Sequence, residues 1–333
     1  MEAIYVVHGN GLAWEEFKTA HMKEQEKLRQ EFWENLQERM RELMSCLYAA
    51  FEEAARQIEI QEKDDCMYFL FALQRCDLCQ GKALVRLDVL DIGWYLDEAP
   101  VTVCFDITFL FREYMEWKEK LLTDMREYMG KINRYDIENL VQDEIMVCNQ
   151  LITHMLRFAF RDLEQEEHFA AIPKLPLWII RWGEYKDYSE IALQVNRIVK
   201  DQEAWEDKLR QYESNPTVFM AEYWYRGNLT VGDCSRKKMC FMVFEECTLS
   251  NIDFRKADLS GARFIRCRIE NCDFSRATLH QADFEDCELF ENQFEGANMN
   301  QATFTQEGFR PELFDETQLN ALYLVSRITE ATV

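Results

Sequence analysis

The sequence of 333 residues has no long apolar run: its longest, such as Met67 to Leu73, fall far short of the roughly 18 residues needed to cross a bilayer. Positive charge is scarce. With 38 Lys+Arg against 61 Asp+Glu the formal charge is -23, so the field of the whole molecule repels nucleic acid and anionic lipid. Direct nucleic-acid binding and membrane association are therefore not expected. The N-terminal stretch Met1 to Gly11 lacks a charged segment followed by an apolar one, the pattern of an export signal, so a soluble, cytoplasmic chain is expected. Histidine is sparse too: His8, His21, His154, His168 and His280 are scattered, with no His-x-x-x-His or His-Glu pair on one helix face. G-x-S-x-G, phosphate-loop and dinucleotide fingerprints are absent, so the expectation is a non-enzymatic protein without cofactor or bound metal. What is present, 48% hydrophobic and 30% charged residues, suffices for two ordinary domains and excludes disorder as the main state.

The twelve cysteines, without an export signal, are expected as reduced thiols. Cys76 and Cys79 form a lone C-x-x-C, and no second pair or histidines follow at zinc-finger spacing. The pair reads as two half-buried thiols near a helix end rather than a metal or redox site.

The C-terminal third carries a strict period of five. Phe244, Leu249, Phe254, Leu259, Phe264, Ile269, Phe274, Leu279, Phe284, Leu289, Phe294, Met299 and Phe304 are all large and apolar. Two residues before each lies a mostly small one: Cys247, Ala257, Ala262, Cys267, Cys272, Ala277, Ala282, Cys287, Ala297 and Ala302, with Met242, Ile252 and Asn292 as exceptions. Both positions must point inward. A period of five fits neither a helix at 3.6 nor a flat strand at 2, so the chain turns a corner every five residues and four corners close a square coil of twenty. Residues twenty apart form uniform columns: Leu229, Leu249, Ile269, Leu289; Cys234, Phe254, Phe274, Phe294; Met239, Leu259, Leu279, Met299; and Phe244, Phe264, Phe284, Phe304. Alternating large and medium walls fill such an interior without voids.

Segments such as Ala257-Asp258-Leu259-Ser260-Gly261 and Ala282-Asp283-Phe284 resemble the pentapeptide-repeat family, whose motif is Ala-(Asp/Asn)-(Leu/Phe)-X-X. The resemblance implies a right-handed quadrilateral β-helix over 227–306, about four coils. Lys237-Lys238-Met239 departs from the motif and predicts a loose or capped first coil. Phe309 and Phe314 keep the register, but Glu307 and Glu312 replace the small inward residues, and with Pro311 they predict that the coil stops. Asp315-Glu316-Thr317-Gln318 reads as a capping box opening a helix through Leu319, Leu322, Tyr323 and Ser326, so 307–333 is expected to be a helical cap over the open edge.

Residues 1–226 read as a mostly helical domain of no recognised family. Leu28, Phe32, Leu36, Met40, Leu43, Leu47, Phe51, Ala54 and Ile58 predict one long amphipathic helix from about Trp14 to Ile58. Its mean step, near 3.75, favours packing within its own domain, a homodimeric zipper being the alternative. Alternation near 83–110 predicts a strand pair around Leu96-Asp97-Glu98-Ala99-Pro100. Helical spacing follows at Met115 to Met129 and Ile137 to Phe158, then a break at Pro173 to Pro176 and a short strand, Leu177 to Trp182. A last helix is expected through Ile191, Val195, Ile198, Trp205 and Leu209. The fold class is thus mixed: an α-rich domain with a small β hairpin, then the β-helix and its cap.

Candidate sites are few. His8-Gly9-Asn10-Gly11 reads as a turn after a strand, and Glu164, Glu166, Glu167 and His168 as a solvated helix end rather than a chelate. Arg236, Lys256 and Arg276 stack at coil spacing as a cationic interaction ladder, about 4.8 Å per step. Asp233, Asp253 and Asp273 stack on the same wall, so local neutralisation is expected. The column Cys247, Cys267, Cys287 is expected to be buried, with Asn292 satisfying backbone groups inside the coil.

The expected function is a scaffold or adaptor that binds an unidentified protein through the rigid repeat. An alternative comes from the resemblance, since some family members look like DNA and modulate type II topoisomerases. Four coils give a rod of about 19 Å, only about 6 base pairs long. Moreover 227–306 holds 9 Lys+Arg against 13 Asp+Glu, net -4, so the acidity lies mainly outside the rod. The remaining alternative is an enzyme or ligand-binding activity hidden in 1–226.

Overall fold

A computed structural model describes residues 11–326. The chain divides into two compact units, one reaching to Leu175 and including Ile179–Leu193, the other comprising Pro176–Trp178 and the chain from Gln194 onward.

The first unit is led by α1, Gly11–Gln61, a single helix of 51 residues. It is buried along Phe32, Leu36, Leu43, Leu47, Phe51 and Ala54, the stripe that its three- and four-residue steps dictate. Phe51 projects into an aromatic cluster 5.6 Å from Phe71 and 4.8 Å from Phe169, while Phe32 stacks on Phe111 at 5.6 Å. Helix α2 (Arg75–Cys79) follows strand β1 (Cys66–Leu73), and β2 (Leu84–Leu90) and β3 (Val101–Asp106) form the expected antiparallel pair. Helices α3 (Arg112–Asp124), α4 (Arg134–Ala159) and α5 (Glu167–Ala171) come next, then β4 (Lys174–Glu184) and β5 (Ser189–Asn196).

The strand pair is part of a larger sheet, in the order β3-β2-β1-β4-β5, with β1 antiparallel to β2 and parallel to β4. Strand β1 escapes a reading by alternation because nearly every residue is buried, and a central strand covered on both faces has no polar phase. The long helix expected through Ile191, Val195 and Ile198 requires correction. Ile191 and Val195 lie in β5, Ile198 in the bend after it, and only Gln202–Gln211, helix α6, is helical. Ile191, Leu193 and Val195 also alternate, and ladder pairing decides between two periods that a short apolar stretch fits equally.

In the second unit α6 leads into a parallel β-solenoid of about five turns, 223–325, reaching beyond the expected 227–306 at both ends. One wall consists of Tyr223–Tyr225, Val243–Glu245, Arg263–Ile265, Asp283–Glu285, Thr303–Thr305 and Tyr323–Val325, in register at steps of twenty. Helix α7, Glu316–Ala321, opens on the expected capping box between Asp315 and Gln318. It is shorter than the Leu319–Ser326 spacing predicts, because Tyr323–Val325 leaves the helix to pair with Thr303–Thr305.

Candidate functional site

From the pentad centred on Cys234 to the one centred on Met299 the mechanics are the same. The central residue points inward, and the residue two positions later turns the corner with positive φ, as at Arg236 (58°), Asn251 (54°), Lys256 (58°), Asn271 (52°) and Arg276 (59°). Among these corners, 236–301, glycine stands only at Gly261 and Gly296, so at the others the ladder overrides a conformation that costs an L-residue about 1–2 kcal/mol. All ten central residues from Leu249 to Phe294 are at most 3% exposed. Phe264 stacks on Phe244 at 5.2 Å and on Phe284 at 4.6 Å; Phe274 stacks on Phe254 at 4.8 Å and on Phe294 at 5.0 Å.

The small inward position is a donor slot. The thiols of Cys247, Cys267 and Cys287 donate to the carbonyls of Trp224 (3.3 Å), Phe244 (3.1 Å) and Phe264 (3.1 Å), one coil back. Asn292 uses the slot with both ends of its amide, donating to the Ile269 carbonyl at 2.8 Å and accepting from the Cys272 amide at 2.9 Å. Burial pushes the Cys272 thiol up to about 11 and holds Cys267 well above its ordinary range.

Both ends of the solenoid are covered. Trp205 on α6 is fully buried, 5.1 Å from Trp224 and 6.1 Å from Phe244, and its indole lies so close to Gly232 that a Cβ there would come within 2.6 Å of Nε1. Tyr212 accepts the Lys238 amide at 2.9 Å while the Lys237 ammonium sits 4.9 Å over its ring, so the irregular Lys237-Lys238 pentad meets the cap. At the other end Phe314 packs 4.9 Å from Phe294, and buried Gln318 donates to the carbonyls of Phe294 (2.6 Å) and Ala297 (3.1 Å). The α6 cap was readable only in part: Trp205 and Leu209 are in the pattern, their destination is not.

On the wall centred on Cys234, Phe254, Phe274 and Phe294, Arg236, Lys256 and Arg276 are exposed at successive corners. The aspartates beside them are otherwise engaged. Asp233 accepts the Ser235 amide and hydroxyl at 3.0 and 2.6 Å, and Asp273 accepts the Ser275 amide at 2.8 Å. Asp253 binds Arg255 at 2.6 Å, and Arg255 also reaches Asp273 at 3.8 Å. The Arg255 hydrogen bond, working against burial, holds the Asp253 carboxyl below its usual range. Among the described residues, Arg236, Lys256 and Arg276 form no ion pair, and it is Arg255 that pairs with two of the three aspartates, Asp253 and Asp273. Other walls are paired across coils: Arg226 meets Glu246 at 2.6 Å, and Arg266 meets Glu245 at 2.6 Å.

The remaining sequence candidates do not converge. His8, Gly9 and Asn10 lie outside the described residues. Glu166 caps α5 by accepting the amides of His168 and Phe169. Among the described residues no group of three or more His, Cys, Asp or Glu is placed to hold a metal ion, and no helix is long and apolar enough to cross a membrane.

A five-residue inward period, parallel ladders at twenty-residue steps and stacked Phe columns define a four-walled β-solenoid. Residues 239–322 match the family model of the pentapeptide repeat region, and the C-terminal region of this chain is a pentapeptide-repeat region. Solved structures similar to it include HetL, a pentapeptide repeat protein involved in heterocyst differentiation regulation from the cyanobacterium Nostoc sp. strain PCC 7120, at 18% identity over 25% of this chain and 40% of that one, TM-score 0.22. Another is Rfr23 from the cyanobacterium Cyanothece 51142, at 14% identity over 30% and 80% of the two chains, TM-score 0.24. A third is QnrB1, a plasmid-mediated fluoroquinolone resistance protein, at 23% identity over 26% and 55%, TM-score 0.16. The chain thus spans less than two thirds of HetL and of QnrB1. No curated protein matches.

Proposed function

We propose that this is a non-enzymatic scaffold whose solenoid wall bearing Arg236, Lys256 and Arg276 docks an acidic segment of a partner protein. One observation carries the reading: three exposed cations stacked at coil spacing that form no ion pair among the described residues, beside aspartates bound to Ser235, Arg255 and Ser275. Like charges at about 5 Å repel by about 1 kcal/mol or less per pair in water, and an anionic ligand offsets that cost. The acidity of the chain as a whole does not forbid such a contact, since charges beyond about 8 Å are largely screened at physiological salt.

The test is fluorescence anisotropy of a glutamate-rich peptide titrated with the full chain. Binding that weakens as salt rises, and that falls at least ten-fold in Arg236→Glu/Lys256→Glu/Arg276→Glu, supports the reading. Equal binding by the wild type and the triple variant removes it.

A further inference from the structure

In the first unit, Cys76 and Cys79 lie one helical turn apart on α2, Cys76 exposed and Cys79 half-buried. They open onto a cleft of about 320 Å³ lined also by Arg75, Tyr135, Glu138, Asn139 and Gln142. Gln142 donates to the Cys79 sulfur at 3.0 Å and so fixes its position at the cleft. Behind the turn, Lys118 is only 5% exposed, and its ammonium donates to the carbonyls of Leu78 and Cys79 at 3.2 Å each. Among the described residues no carboxylate pairs with it, although buried charges are ordinarily paired. The turn thus holds an exposed sulfur and a half-buried one, three residues apart, at the mouth of one cleft, with Lys118 fixing the backbone behind them.

We propose that Cys76 and Cys79 form a thiol–disulfide exchange site whose substrates are low-molecular-weight disulfides. The Cys76 thiolate attacks one sulfur of the substrate, forming a mixed disulfide and expelling one thiolate. The Cys79 thiolate then attacks Cys76 Sγ, closing the Cys76–Cys79 disulfide and expelling the second. Both thiol protons end on the released thiolates, so two protein thiols and one substrate disulfide become one protein disulfide and two free thiols. Residues three apart on a helix hold their Cβ atoms about 5–6 Å apart, while a disulfide needs about 3.5–4.5 Å. The turn has only five residues and ends beside Gly81 at φ +77°, so little regular structure resists that closure. The absence of a third ligand among the described residues separates this site from a metal chelate.

The experiment equilibrates the full chain in mixtures of reduced and oxidised glutathione, quenches with acid, alkylates the free thiols and maps tryptic peptides by mass spectrometry. Residues 76–82 form one tryptic peptide carrying both thiols. It is expected to appear unalkylated and two hydrogens lighter at an oxidised-glutathione concentration at least ten-fold below that which modifies the exposed, solitary Cys104. In Cys79→Ser, whose fold is checked by circular dichroism, Cys76 is expected to accumulate as the glutathione adduct. A peptide that stays doubly alkylated until Cys104 reacts, or that carries glutathione on both sulfurs, overturns the proposal. So does a Cys79→Ser chain in which Cys76 gains no adduct.

Discussion

Cys267 and Phe244 are joined across one coil: the thiol of Cys267 lies 3.1 Å from the Phe244 carbonyl oxygen, twenty-three residues earlier. Cys247, Cys287 and Asn292 repeat the relationship with Trp224, Phe264 and Ile269. The slot between coils is thus small and apolar in its demand for volume, yet it offers a carbonyl to any donor that fits. Asn292→Leu removes the donor to Ile269 and the acceptor of the Cys272 amide, and is expected to destabilise the solenoid by about 1–3 kcal/mol for each orphaned group. Urea unfolding and hydrogen exchange at the Cys272 amide measure it; unchanged exchange there contradicts the role given to Asn292.

Alkaline pH is expected to weaken the fold through its buried thiols. Burial raises Cys66, Cys148 and Cys272 from the ordinary value of 9.0 to about 11. A raised folded-state value favours the protonated native form, so this stabilisation is complete below about pH 9 and is lost as pH rises through about 11. Denaturant midpoints should therefore fall across that window, and the fall should shrink in Cys272→Ala relative to its own midpoint at neutral pH.

The two glycine corners differ in a way that substitution should reveal. At Gly261 a Cβ would lie 2.6 Å from the Phe241 ring, whereas at Gly296 the nearest atom is Arg276 Cγ at 3.6 Å. Both have positive φ, so each alanine carries the backbone cost of about 1–2 kcal/mol, and Gly261→Ala adds a displaced aromatic ring. Thermal unfolding should rank Gly261→Ala below Gly296→Ala, and equal values would refute the Phe241 contact.

In the first unit Asp97 accepts from the Lys63 ammonium at 2.8 Å and from the amides of Asp91 and Ala99 at 2.8 Å each. Burial pushes its carboxyl up, but these donors outweigh it and hold the group below the ordinary 3.8. The stabilisation is therefore present above about pH 4 and is lost as pH falls through the lower folded-state value. Asp97→Asn leaves a buried ammonium without this partner and should cost about 3 kcal/mol at neutral pH, read by denaturant titration.

The solenoid was legible because its inward residues recur with one period and one size class, so Phe254, Phe274 and Phe294 announce their stacking before any coordinate is known. Strand β1 and the strand through Ile191 were not, since full burial erases alternation and a short apolar stretch satisfies two periods at once. The cationic ladder was legible as a column, but its charge state was not. Whether Asp253 serves Lys256 or Arg255 depends on which side chain the corner turns toward it, and i,i+20 spacing carries no such information. The environment of Cys76 and Cys79 was hidden because Lys118 and Gln142 come from distant helices.

The most direct measurement is comparative affinity capture with three forms of the full chain, washed at graded salt and read by mass spectrometry. The forms are the wild type, Arg236→Glu/Lys256→Glu/Arg276→Glu, and a control reversing the ion-paired Arg226 and Arg268. The expected result is an acidic protein held by the wild type and the control and released at least ten-fold by the ladder variant. An identical set of retained proteins from all three forms would contradict the docking wall.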